Sequence, residues 1–211
     1  MYNQPLTMGM GRSRYVARHN TSVLEWVGET SSDIDHTLKV GESIYVKRNV
    51  ENPKEILGSV KHVLGQEAIL RSSGLLHASV LQPDVAHRLH VYNKTLRGLV
   101  NSAKQTCPQL SRPVAIAFDR IAEYPSKDGK KTLYSLAYDR DSITALDCET
   151  EATIKRVGEV CGYQGAFRYI HDPHITIAME DKIPPEYQET MLELPVTAYL
   201  AKATFFVQKL A

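Results

Sequence analysis

One arrangement of segments occurs twice in this chain of 211 residues, and it constrains the fold more than any other feature. Each copy contains a strand-like segment, a segment with apolar residues at helical spacing and a second strand-like segment. The first copy consists of SIYVKRN (43–49), PKEILGSVKHVLG (53–65) and LHASVL (76–81). The second copy consists of TLYSLAYDRD (132–141), TALDCETEATIKRVGEVCG (144–162) and PHITIAM (173–179). The repetition predicts an α+β fold made of two similar halves.

The last strand of each copy carries a histidine and a hydroxyl residue two positions apart, His77 with Ser79 and His174 with Thr176. Alternate residues of a strand point to the same face, so each strand presents an imidazole beside a hydroxyl. Two such strands facing each other would bring these four side chains together. Such a set can deprotonate a nucleophile, protonate a leaving oxygen and bind phosphoryl oxygens without a metal ion. These four residues are the candidate catalytic residues, and the alternative is that both histidines are buried strand residues.

Both motifs have the form His-h-Ser/Thr-h, where h is hydrophobic: His77-Ala78-Ser79-Val80 and His174-Ile175-Thr176-Ile177. In these motifs, and over roughly residues 43–207, the chain resembles the 2H phosphoesterases. The resemblance implies a bilobal fold in which two antiparallel-rich sheets face a central groove and the helices lie outside. It also implies metal-independent phosphodiester chemistry with no cofactor.

Members of this family act on several substrates. They include LigT-type cyclic phosphodiesterases, exonucleases that trim spliceosomal small RNA, 2′,5′-phosphodiesterases and phage enzymes that cleave cyclic oligonucleotide signals. The resemblance favours 3′-end trimming or 2′,3′-cyclic phosphate chemistry on RNA ends or short oligonucleotides. The alternatives are degradation of cyclic oligonucleotides or 2′,5′-oligoadenylate, and a non-catalytic nucleotide-binding module. Thr176 departs from the serine that the small-RNA exonucleases more often carry.

The segment that precedes the second motif holds three candidates for substrate binding, namely Arg168, Tyr169 and His171. Some relatives place a base-stacking aromatic in this segment, so Tyr169 is the first candidate for stacking on a base. Arg168 could bind a phosphate, and His171 could lie at the mouth of the cleft. The alternative for all three is a position near the groove without substrate contact.

The remaining histidines and the cysteines predict no metal site. His87 and His90 are three residues apart on a predicted long helix over 85–106, but no obvious Cys or carboxylate completes a set of ligands. The cysteine spacing fits neither zinc nor a disulfide framework, which favours small buried residues in a reducing compartment. These cysteines are Cys107, Cys148 and Cys161.

Composition limits the partners of this protein. The net charge of +1 argues against a strongly basic surface for long duplex nucleic acid, and suits a short or cyclic nucleotide. No apolar run reaches roughly 18 residues and the N-terminus lacks a signal-peptide pattern, so we expect an intracellular protein, cytoplasmic or nuclear, away from membranes. We expect residues 1–40 to form a partly irregular extension and 41–211 a single bilobal domain.

Two further expectations concern strands. The segment AYLAKATFFVQKL (198–210) is interpreted as one final strand. Tyr45, Tyr134 and Tyr138 lie on predicted strands and are interpreted as core residues.

Overall fold

A computed structural model describes residues 24–25, 35–125, 132–165, 173–179 and 189–210. The strands in these ranges are β1 Leu24–Glu25, β2 Glu42–Asn49, β3 His77–Leu81, β4 Val114–Pro125, β5 Thr132–Tyr138, β6 Ile175–Met179, β7 Glu189–Leu200 and β8 Thr204–Lys209. The α-helices are α1 Pro53–Leu64, α2 Pro83–Arg88, α3 Leu96–Thr106 and α4 Arg140–Cys161. Mixed strands and helices in one chain confirm the α+β prediction.

The strands form one sheet with the order β1-β8-β2-β3-β6-β5-β4-β7, and all neighbours are antiparallel. The predicted duplication is visible in this order, since β2–α1–β3 in one half corresponds to β5–α4–β6 in the other. The halves meet at the two motif strands, which share the single register pair Ala78–Ile175. The two expected sheets are therefore joined at their centre into one.

Each repeated helix begins and ends at residues suited to the purpose. Pro53 opens α1, where its missing N–H costs nothing, and Gly65 follows with a φ of 92°. The Asp139 side chain accepts hydrogen bonds from the backbone N–H of Asp141 and Ser142 at the start of α4. Gly162 ends that helix in the left-handed conformation at φ 75°.

Each repeated helix packs against strands of the other copy. Ile56 and Val60 of α1 are buried in a core shared with β4 to β7, which belong to the second half. Ile154 and Val157 of α4 are buried in a core shared with β2, β3 and β8 of the first half. The helix α4 also contributes Leu146 to the core of the second half, so it spans both cores, whereas α1 packs on the second half.

A buried ion pair fixes α4 to the first half. The Arg48 Nη2 lies 2.8 Å from Glu149 Oε1, and both side chains are almost fully buried. The same guanidinium donates to the carbonyls of Gln109, Arg112 and Ala201 at 2.7–2.8 Å. Burial raises the pKa of Glu149 and the Arg48 charge lowers it. The guanidinium thus ties together β2, α4, the turn before β4 and the connection before β8.

The predicted long helix over 85–106 is wrong, because the chain breaks it into α2 and α3. His90 and Asn93 have positive φ values of 58° and 63°, which a helix does not allow. The break is held by an earlier segment, since Leu38 donates to the Lys94 carbonyl at 2.9 Å and accepts from Asn93 at 2.7 Å. Leu38 is fully buried, so this pairing contributes to the core.

Two other expectations need correction. The segment 198–210 contains the end of β7, which pairs with β4 in the second half, and the whole of β8, which pairs with β2 in the first. The change of direction falls at 201–203, between the two. Of the cysteines, Cys107 is buried as expected, whereas Cys148 is exposed on α4.

Candidate active site

The register between β3 and β6 brings the four motif residues together. Because Ala78 lies opposite Ile175 in an antiparallel pair, its neighbour His77 is aligned with Thr176, and Ser79 is aligned with His174. Ala78 and Ile175 point into the core, so their neighbours point to the other face. The two histidines therefore lie on one diagonal of a four-residue patch, and the two hydroxyls lie on the other.

We call this side of the sheet the motif face. His77, Ser79, His174 and Thr176 are each partly exposed on it. The helices cover the opposite face, as the burial of Ala78 and Val80 in the two cores indicates. The motif residues are thus held on a rigid sheet and remain accessible to a substrate.

Hydrogen bonds fix the tautomer of His77. Its Nδ1 lies 2.8 Å from the carbonyl oxygen of Leu75, which can only accept, so Nδ1 carries a proton. In the neutral ring Nε2 is then an acceptor, and it lies 2.7 Å from the hydroxyl of Tyr45. That hydroxyl also lies 2.9 Å from Ser79 Oγ. The consistent assignment has Ser79 donating to Tyr45 and Tyr45 donating to His77 Nε2.

The surroundings of His77 keep it neutral. Burial lowers the pKa of His77 from 6.5 to about 4, although the hydrogen bond to Leu75 raises it. The nearby charges of Lys47, Arg71 and His174 lower it further. At neutral pH this imidazole is unprotonated at Nε2, which is the state required of a general base. The influence of His174 also places the two imidazoles within electrostatic range of each other.

Lys47 and Arg71 add positive charge beside the first motif. Lys47 lies opposite Ser79 in the β2–β3 register, and its Nζ lies 4.8 Å from the ring centre of Phe206. The Arg71 backbone N–H donates to the Ile177 carbonyl at 2.8 Å, so the connection before β3 is fastened to the second motif strand. Burial lowers the pKa of both cations, and the Arg71 charge lowers that of Lys47 further.

The second motif has different neighbours. Ser135 of β5 lies opposite Thr176, in the place that Lys47 takes opposite Ser79. Its side chain is buried, and its Oγ has no hydrogen-bond partner among the described residues. Extending the register by one step aligns Ala137 with His174, where Asn49 faces His77 in the first half.

The residues proposed from the sequence divide into two groups. The structure brings His77, Ser79, His174 and Thr176 into one patch, as described above. Three others lie outside the described residues: Arg168, Tyr169 and His171.

Sequence reasoning missed three residues of the site. Tyr45 was predicted to be a core residue, but it lies partly exposed on the motif face, whereas Tyr138 is buried as expected. The signal was present in β2, since Tyr45 and Lys47 alternate with the buried Ile44 and Val46. Arg71 lies in an irregular connection, where no periodic pattern indicates a direction.

The described residues contain no group of three or more His, Cys, Asp and Glu side chains that could hold a metal ion. The ring of His90 stacks on that of Tyr163, with centres 6.3 Å apart. None of the helices in the described part of the chain has the length and apolar content needed to cross a membrane.

No protein-family model and no curated protein matches this chain. It is similar to the solved structure of a protein described as a phosphoesterase, at 11% identity and a TM-score of 0.42, over 81% of this chain and 99% of that one. It is also similar to LigT of E. coli in its apo form, at 11% identity and a TM-score of 0.39, over 75% of this chain and 94% of LigT. At such values the chemistry has to be argued from the site itself.

Proposed function

We propose that this protein is a metal-independent phosphodiesterase of the two-histidine type that acts on RNA ends or short oligonucleotides. The observation that carries the proposal is the register pair Ala78–Ile175, which aligns each motif histidine with the hydroxyl of the other motif. Two imidazoles and two hydroxyls on one accessible face supply a base, an acid and hydrogen-bond donors for a phosphate.

In this mechanism His77 is the base. A water molecule or a ribose 2′-hydroxyl replaces the Tyr45 hydroxyl at Nε2, transfers its proton to that nitrogen and attacks phosphorus. The bond from phosphorus to the leaving oxygen breaks, and a protonated His174 gives that oxygen a proton. Ser79 and Thr176 donate to the non-bridging oxygens. The Leu75 carbonyl accepts from Nδ1–H and stabilises the imidazolium that forms.

This assignment of roles follows from the charges around the first motif. A base must be neutral before the reaction, and burial together with nearby cations favours the neutral form of His77. A positive charge on His174 adds to the same effect, so the state with His77 neutral and His174 protonated is self-consistent. Attack by a 2′-hydroxyl would leave a 2′,3′-cyclic phosphate, and attack by water would leave a phosphomonoester.

The test is a substrate panel in the presence of EDTA. It contains 3′-tailed RNA, a 2′,3′-cyclic nucleotide, 2′,5′-oligoadenylate and cyclic di- and trinucleotides, with products identified by mass. We expect turnover of at least one RNA or short-oligonucleotide substrate, undiminished by the chelator. Cleavage of only the cyclic di- and trinucleotides or of 2′,5′-oligoadenylate would favour the signal-degrading alternative. Binding without turnover of any compound would favour the non-catalytic module and overturn the proposal.

A further inference from the structure

Two cations beside the first motif have no anionic partner among the described residues. Lys47 and Arg71 are both partly buried. Burial lowers the pKa of each, the Arg71 charge lowers that of Lys47 further, Tyr45 acts in the opposite direction on that of Arg71, and no carboxylate in the described part of the chain acts on either. Holding like charges together in partly dehydrated positions costs free energy unless a counter-charge arrives. Such local conflict is a feature of sites that bind a ligand of opposite charge.

The position of Lys47 separates it from the reacting phosphate. The scissile phosphate of the proposed reaction lies over the pairing of β3 and β6, which carry the two histidines. Lys47 instead extends over Phe206 on β8, which is two strands away from β3, roughly 10 Å at the usual strand spacing. Its ammonium therefore suits a phosphate next to the scissile one rather than the scissile phosphate itself.

Arg71 links the second motif strand to the charged residues of the first half. Its backbone is tied to β6 beside Thr176, while its charge acts on Tyr45, Lys47 and His77 of the first half. A guanidinium there can donate to two phosphate oxygens at once. In the described part of the second half, Ser135 takes the place that Lys47 has in the first.

We propose that Lys47 and Arg71 form a second phosphate subsite on the first-motif side of the motif face, which takes a non-scissile phosphate. This inference rests on the proposed function and narrows it. The substrate then carries at least two phosphates and is a linear or cyclic oligonucleotide, rather than a 2′,3′-cyclic mononucleotide.

The experiment measures equilibrium binding by calorimetry and needs no turnover. The probes are adenosine 3′,5′-bisphosphate, adenosine 3′-monophosphate and adenosine 5′-monophosphate. We expect the wild-type protein to bind the bisphosphate about tenfold or more tightly than either monophosphate, as charge-assisted contacts to an added phosphate predict. Equal affinities for all three, or no binding of any, would overturn the proposal even if no variant could be purified.

Substitutions of Lys47 and Arg71 test whether these residues cause the preference for the bisphosphate. Lys47→Met and Arg71→Gln should each reduce bisphosphate binding by about tenfold while changing monophosphate binding little, and Lys47→Arg should keep the preference. Lys155→Met is the matched control, because Lys155 is exposed on α4. A preference that survives both Lys47→Met and Arg71→Gln would contradict the subsite.

This result separates the two proposals. A bisphosphate preference that depends on Lys47 and Arg71, together with no turnover of any phosphodiester, would refute the proposed function and leave an anion site. Turnover without such a preference would refute the subsite alone.

Discussion

His77 and His174 occupy equivalent places in the two halves, but the strand beside each offers different partners. In the first half Lys47 faces Ser79, and Tyr45 contacts both motif residues. In the second half the residue facing Thr176 is Ser135, which is buried and uncharged. The motifs are repeated and their surroundings are not. The burial of His77 and the cations beside it favour its neutral form, so the first half is the one that suits a general base.

The largest effect should come from either motif histidine. We expect His77→Ala and His174→Ala each to lower kcat by about 10²–10⁴, the usual contribution of a general acid or base. The double variant should cost little more than the worse single one, because the two act in one step. Steady-state kinetics on the best substrate of the panel measures this.

His62→Ala is the control, since His62 is exposed on α1. It should leave kcat unchanged. If only one motif histidine proved necessary for activity, that motif alone would be catalytic and the other would be structural.

The next largest effect concerns how the halves are held together. Glu149→Ala should lower the free energy of unfolding by about 3–5 kcal/mol, because it leaves the buried Arg48 without its counter-charge. The equivalent position of the second half holds an apolar residue, since Leu136 lies opposite Ile175 as Arg48 lies opposite Ala78. Urea unfolding followed by circular dichroism measures the change.

Glu159→Ala on the same helix provides the comparison. Glu159 pairs with Arg156 at 3.0 Å on the surface, and such pairs contribute at most about 1 kcal/mol. Equal losses for the two variants would show that the buried pair is not what fixes α4 to the first half.

The sequence predicted the parts of this molecule that depend on local pattern. The bounds of α1 follow from Pro53, the apolar spacing and Gly65, and the structure has the helix at Pro53–Leu64. The α+β class and the repeated strand–helix–strand order follow from the same kind of signal. The faces of the motif strands follow from their two-residue period, which groups each histidine with its hydroxyl.

What the sequence could not give depends on contacts between distant segments. The break between α2 and α3 is set by pairing with Leu38, more than fifty positions away from Asn93, and a periodic apolar pattern continues across it. Neither copy of the repeat indicates that α1 packs on the second half or that α4 reaches the core of the first. Arg71 reaches the site because its backbone binds Ile177, a contact that no spacing rule indicates.

The pH dependence of the kinetic constants tests whether His77 is the neutral member of the histidine pair. With a His77 pKa of about 4, the acid limb of kcat/KM for the free enzyme should lie near pH 4 rather than near 6.5. A bound phosphate favours the imidazolium, so the acid limb of kcat should lie at higher pH. The hydrogen bond that Tyr45 donates to Nε2 favours the neutral ring of His77. Tyr45→Phe removes this bond and should therefore move the acid limb of kcat/KM to higher pH. A limb near 6.5 in the wild type would contradict the neutral base.

The same shift affects stability. Between pH 6.5 and about 4 the unfolded chain binds a proton at His77 and the folded protein does not. The contribution of this group to folding is therefore constant above pH 6.5 and is lost as the pH falls through that interval. His77→Gln should flatten the pH dependence of the unfolding free energy there, and an unchanged dependence would contradict the burial of the ring as its cause.

The smallest expected effect lies in the second half. Ser135→Ala removes a buried hydroxyl that has no hydrogen-bond partner among the described residues, so the unfolding free energy should stay constant or rise by up to about 1 kcal/mol. Thr176→Ala, which removes a proposed phosphate donor, should lower kcat while Ser135→Ala leaves it unchanged. A large loss of activity in Ser135→Ala would show that this hydroxyl binds the substrate beside Thr176. The second half would then bind the substrate through a neutral hydrogen-bond donor at the position where the first half has the cation Lys47. The two halves would bind the same substrate through different chemical groups.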